Sequence, residues 1–171
     1  MIVMGLTGGV GMGKSTSAGI LARHGLSVID TDDLARELVR PGEPALVEIS
    51  KAFGPDVIDG AGELRRGEVA KVVFNNPTKR KQLESILHPR IRERWVAQIE
   101  QLRAGNCPAA VVVIPLLFET DAAKQFTHIV CVACSAATQR ARLATRGWSG
   151  QAQALTFRRV RVPRCRRSGP L

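Results

Sequence analysis

Near its N-terminus the chain reads Gly8-Gly-Val-Gly-Met-Gly-Lys-Ser15, which fits G-x-x-x-x-G-K-[ST] with Gly8 and Gly13 as the fixed glycines. Average residue usage produces such a match by chance in on the order of 1 in 100 chains of this length. The flanks strengthen it. The apolar run Met1–Leu6 ahead of it reads as a buried strand, and Ser15 to His24 behind it, apolar at Ile20 and Leu21, reads as a helix. A strand, a glycine-rich turn and a helix N-terminus together make a phosphate cradle. Glycines let the backbone fold back on itself and leave no Cβ in the way of an anion. Successive N–H groups and the positive end of the helix then face that anion. In such a loop Lys14 reaches the β- and γ-phosphates of a nucleotide, and Ser15 ligates Mg²⁺. The alternative is a flexible glycine-rich turn with a surface lysine.

The rest of the chain supplies the context this motif requires. Leu26–Ile29 is a short strand ending in Asp30-Thr-Asp-Asp33. Helices are expected over Leu34 to Arg40, Pro44 to Phe53, Arg65 to Phe74 and Pro77 to Arg103, the last with Leu83, Ile86, Leu87, Ile91, Trp95 and Ile99 at helical spacing. Pro89 lies inside that helix and predicts a kink or break near His88. Ala109–Ile114 and Thr127–Val132 are unbroken apolar strands, and Ala136 to Arg146 is helical. Strand, helix, strand, several helices, strand, strand, helix describes an α/β fold with a parallel sheet and a helical excursion after the second strand. At 171 residues this is one domain.

Ligands of open α/β sheets bind beyond the carboxyl ends of the strands. The first strand leads into the phosphate loop, the second presents Asp30 and Asp32, and the third leads into Pro115-Leu-Leu-Phe-Glu119. A carboxylate near the γ-phosphate takes the proton from an attacking hydroxyl or holds Mg²⁺ through water. The competing role is a cap, by Asp32 or Asp33, on the helix that follows. Arg142 and Arg146, four apart on one helical face with Arg140 nearby, suit either a clamp on a transferring phosphoryl group or a solvated basic face. His88 alone reads as a structural residue at the proline.

Four cysteines include Cys131-Val-Ala-Cys134, a C-x-x-C. No second pair completes a zinc site, and the segment is apolar, so these are expected to be small hydrophobes within a strand. No apolar run is long enough for a membrane span, and the N-terminus lacks the charged start of a signal peptide, which predicts a cytoplasmic protein. The net charge is +10, with six arginines and no acid in residues 151–171 and 19 basic against 15 acidic residues before them. A modest positive excess suits a polyphosphate ligand.

Taken together these segments resemble the dephospho-coenzyme A kinase family from residue 1 to about 150. The resemblance rests on Gly5-Leu-Thr-Gly-Gly-Val-Gly-Met-Gly-Lys-Ser-Thr16, Val28-Ile-Asp-Thr-Asp32 with Ala35-Arg36, Pro41-Gly-Glu-Pro-Ala45, Leu87-His-Pro89, Pro115-Leu-Leu-Phe-Glu119, and Gln139 with Arg142-Leu143 and Arg146. It implies a P-loop NTPase fold with an adenylate-kinase-like parallel sheet, a helical acceptor-binding insertion at about 34–104, and a lid beginning at about 136–150. It implies ATP and Mg²⁺ as cofactors and transfer of the γ-phosphate to the 3′-hydroxyl of dephospho-CoA, the last step of coenzyme A synthesis. Among site residues it implies Asp32 as general base, with Lys14, Arg142 and Arg146 serving catalysis. Gly8, Gly9, Gly11, Met12, Gly13, Lys14, Ser15 and Thr16 would hold ATP, with Ser15 on the metal. His88, Leu116, Leu117, Phe118 and Glu119, together with Asp32, would lie on the acceptor side. Other small-molecule P-loop kinases, or a nucleotide- or nucleic-acid-binding protein without turnover, are the alternatives.

After about Gly150 the chain departs from the family pattern. Residues 151–171 show neither the family's last strand, ending in an Asn-x-Gly-like turn, nor its final amphipathic helix. Arg, Pro, Ala and Gly dominate, as when GC-rich coding sequence is read in a shifted frame. A frameshifted or truncated member of impaired activity is therefore expected, with an open sheet edge along 127–132. Beyond Phe157 the basic tail has no interleaved aromatics, so nucleic acid is not its expected partner. Nothing in the sequence sets an oligomeric state.

Overall fold

The structure is a computed structural model, and it describes residues 1–147 except 119 and 121. Glu119, the continuation of the lid and the 151–171 tail lie outside the described residues. The elements are β1 (Ile2–Thr7), α1 (Lys14–Arg23), β2 (Ser27–Asp30), α2 (Thr31–Glu37), α3 (Pro44–Phe53), α4 (Arg66–Asn75), α5 (Pro77–Ala104), β3 (Ala109–Val113), β4 (His128–Cys131) and α6 (Ala136–Thr145). Short 3₁₀ turns occupy Pro55–Val57 and Ala122–Gln125. The four strands form one parallel sheet in the order β2-β3-β1-β4.

The centre of the sheet explains its residue choice. Both faces of β3 are covered, so its run of alanine and valine needs no polar alternation. Ala110 and Val112 pack with Trp95 and Ile99 of α5, whereas Val111 and Val113 pack with Leu6 and with Ala18 of α1. On β1, Gly5 lets Leu117 and Phe126 approach the sheet, since a Cβ there would lie 2.7 Å from Leu117 Cδ1. The helical excursion has its own core of Leu38, Val39, Leu46, Ile49, Val57, Val69 and Ile86. The long α5 takes part in both cores.

Three local features differ from the sequence reading. First, α2 begins at Thr31 rather than Leu34. Asp30 is its N-cap and accepts from the Asp32 N–H at 2.9 Å, so neither Asp32 nor Asp33 caps the helix. Second, α5 continues through Pro89 without a break. Proline leaves the Ser85 carbonyl without its backbone donor, yet the helix runs on; one residue further, the Arg90 guanidinium donates to the Ile86 carbonyl at 2.7 Å. Third, β4 is an edge strand among the described residues, and all four of its residues are exposed. Cys131, expected to act as a small hydrophobe, is exposed among the described residues.

Candidate active site

The phosphate loop spans the turn from β1 to α1. Gly8 has φ +150°, and a Cβ on it would lie 2.4 Å from the Val132 carbonyl oxygen. Only glycine lets β4 and the loop approach so closely. Lys14 opens α1 and lies along its own loop, its Nζ donating to Gly8 O at 2.7 Å and Gly9 O at 3.2 Å. Ser15 and Thr16 are exposed in the first turn of the same helix. Met12 donates its backbone N–H to Gly9 O at 3.2 Å, closing the loop on itself.

Two titrations report how the site is charged. Burial lowers the Lys14 pKa, Asp32 and Asp30 oppose that shift, and Arg146 adds to it. Burial raises the Asp32 pKa, and the neighbouring Asp30 raises it further, while Lys14 pulls the other way. Lys14 and Asp32 therefore share one field, and Arg146 stands close enough to enter it. A carboxylate whose proton affinity is raised is a better base than a free aspartate. Asp30 has two effects on Asp32: it fixes the backbone there through the helix cap, and its charge raises the proton affinity.

Beside Asp32 opens a cavity of about 660 Å³. Thr31, Asp32 and Ala35 of α2 form one wall. His88, Arg92, Trp95 and Val96 of α5 form the second, and Ile114, Pro115 and Leu116 after β3 form the third. Thr31 is held by its hydroxyl, which donates to Val113 O at 2.9 Å, so the carboxyl ends of β2 and β3 are tied together at the cavity. Arg92 Nε is 2.9 Å from the side-chain oxygen of Gln125 when that amide is turned to accept.

The structure brings together most of the residues singled out in the sequence, but not all. Asp32, His88 and Leu116 line the cavity. Leu117 is fully buried in the core with Trp95 and Ile99, and so supports the wall from behind instead of facing a ligand. The strand-to-loop turn points successive side chains in different directions, and only Leu116 of this pair faces the opening. Phe118 is 40 % exposed and outside the lining. On α6, Arg142 places Nη1 3.4 Å from Gly11 O, and Arg146 follows at the end of the helix. The sequence reading missed Arg92 as a cavity residue. Its signal was present, since His88, Arg92 and Trp95 fall three and four apart on one helical face.

A parallel sheet with a phosphate loop after its first strand, a carboxylate after its second and an arginine-bearing helix over the loop defines a P-loop kinase. Comparisons narrow the class. The family model for dephospho-CoA kinase matches residues 2–168, running past residue 150, where the sequence reading ends the resemblance. A dephospho-CoA kinase of Moorella thermoacetica is 47 % identical over 148 residues, 85 % of this chain and 69 % of that one. One from Geobacter metallireducens is 42 % identical over 154 residues, 90 % of this chain and 77 % of that one. Among solved structures, TT1252 from Thermus thermophilus superposes with a TM-score of 0.79 at 32 % identity, covering 92 % of this chain and 78 % of that one. The dephospho-CoA kinase from Campylobacter jejuni shares the fold, with a TM-score of 0.58 at 21 % identity over 85 % of this chain and 95 % of its own. The chain belongs to the dephospho-CoA kinase family.

Proposed function

We propose that this protein transfers the γ-phosphate of ATP to the 3′-hydroxyl of dephospho-CoA, giving CoA and ADP, in the cytoplasm. The observation that carries the reading is the double membership of Asp32. It shares an electrostatic field with Lys14 of the phosphate loop and lines the cavity between α2, α5 and the turn after β3. A group so placed meets both a nucleotide and an acceptor. In this reading Asp32 takes the proton from the acceptor hydroxyl, and Lys14 balances charge on the β- and γ-phosphates. Arg142 and Arg146 approach the same phosphates from α6. His88, Arg92 and Leu116 hold the acceptor within the cavity.

The residues present also fit Mg²⁺. The Ser15 hydroxyl is exposed at the start of α1 and makes no hydrogen bond among the described residues, so it is available as a ligand. Bound there with ATP, the ion would neutralise charge on the phosphates. Among the described residues no group of three His, Cys, Asp or Glu gathers to hold a metal without a nucleotide. No described helix is long and apolar enough to cross a membrane.

An ADP-release assay with dephospho-CoA, AMP and adenosine as competing acceptors tests the proposal. Turnover with dephospho-CoA alone is expected. Turnover with AMP but not dephospho-CoA would assign the chain to nucleotide phosphorylation instead.

A further inference from the structure

Gln139 of α6 is 1 % exposed, and its amide is satisfied on one side only. Nε2 donates to the Val10 carbonyl at 2.6 Å. Oε1 is buried without a hydrogen-bond partner among the described residues. A buried acceptor without a donor is costly, and a leucine or methionine would fill the same space without that cost. The glutamine is therefore kept for what its satisfied half does, and that half is aimed at the backbone of the phosphate loop.

The contact belongs to a larger grip of α6 on the loop. Gly11 has φ +76°, and a Cβ there would lie 3.2 Å from Leu143 Cγ and 3.3 Å from Gln139 Cγ. Arg142 Nη1 reaches the Gly11 carbonyl at 3.4 Å, so α6 holds two successive carbonyls of the loop. In a planar trans peptide the C=O and the following N–H point in opposite directions. Fixing the Val10 carbonyl toward α6 thus turns the Gly11 N–H away from α6. A loop that binds an anion through its N–H groups needs its carbonyls held elsewhere.

We propose that Gln139 is a positioning residue for the phosphate loop: it anchors the Val10–Gly11 peptide so that the Gly11 N–H faces the β- and γ-phosphates of the nucleotide. The proposal rests on the nucleotide-binding reading of that loop but not on the identity of the acceptor. Gln139 acts on the outer phosphates only, so the loss should follow the phosphate and not the nucleoside.

Calorimetric titration of the full chain with ADP, pyrophosphate and AMP tests it, comparing the parent with Gln139→Leu and Gln139→Glu. The leucine removes the donor together with the unpaired acceptor and should leave the melting temperature within a few degrees. The glutamate keeps the shape but sets a carboxylate against the Val10 carbonyl. Both variants should bind ADP and pyrophosphate about tenfold more weakly, as expected for one lost hydrogen bond to a charged ligand, with AMP within about twofold of the parent. Folded variants that bind all three ligands like the parent would overturn the proposal, as would an equal loss for all three. Should neither variant fold, the side-chain amide protons of Gln139 in the parent decide the matter by hydrogen exchange. A protected proton supports the anchor, and exchange at the rate of free glutamine refutes it. A parent that bound neither ADP nor pyrophosphate would overturn the nucleotide reading and this proposal with it, whereas normal binding by parent and variants alike would remove the proposal only.

Discussion

The phosphate loop and the cavity proposed to take the acceptor are built in opposite ways. The loop is local. Its glycines, Lys14 and Ser15 are consecutive, and their geometry follows from a strand running into a helix. The cavity is assembled from three distant stretches, α2, the middle of α5 and the turn after β3. Its walls exist only because the sheet and helices pack. The local region should therefore fail through backbone changes at single residues. The assembled region should fail through the core that holds its walls apart, or through side chains at its surface.

The largest expected effect on nucleotide binding comes from the loop's backbone. Gly8→Ala would drive a Cβ against the Val132 carbonyl, 2.4 Å away, in a backbone conformation that alanine avoids. ADP titration should show phosphate binding lost, and the melting temperature should fall, since such strain costs on the order of 1–3 kcal/mol. Unchanged ADP binding would mean that the loop is not held by β4.

The next test separates two adjacent leucines. Leu117→Ala should destabilise the fold by about 2–5 kcal/mol in chemical denaturation, because Leu117 is fully buried. Leu116→Ala should leave stability within about 0.5 kcal/mol and raise only the acceptor KM, because Leu116 is exposed at the cavity. Equal stability losses at both positions would erase the distinction between wall and support.

The smallest effect is one of pH. Burial and Asp30 raise the Asp32 pKa above 3.8 in the folded protein, so the base is protonated, and kcat/KM falls, at a higher pH than a free aspartate would give. The sign for stability is the reverse of an ordinary salt bridge. Above the unfolded pKa the folded state holds a proton more tightly than the unfolded one and is penalised for losing it. Asp32→Asn should thus be slightly more stable than the parent near neutral pH, with the gain shrinking as the pH falls through the raised folded pKa and gone below about 3.8. Thermal melts at several pH values would show it, and a variant less stable at neutral pH would contradict the assigned shift.

The same contrast governs how much was legible in the sequence. The loop, the flanking strands, the limits of α3 and the parallel order of secondary structure could be read directly, because each depends on neighbours a few residues away. The split between Leu116 and Leu117 could not, since a turn sets which of two like side chains faces inward. The cap was weighed at Asp32 and Asp33 and found at Asp30 for a similar reason. Capping depends on where the helix starts, and Thr31 joins α2 despite its β-branched side chain because its hydroxyl is tied to the Val113 carbonyl across the sheet. The exposure of Cys131 among the described residues depends on what packs over β4, which no local pattern specifies.

Asp32 is where the two regions meet, and one paired measurement on Asp32→Asn tests that most directly. ADP affinity and turnover of dephospho-CoA are measured on the same preparation. If Asp32 serves the acceptor while Lys14 and the loop hold the nucleotide, ADP affinity stays within a few-fold and turnover falls by about 10²–10⁴. Full turnover in the variant would contradict the account and leave the carboxylate without a role in the transfer.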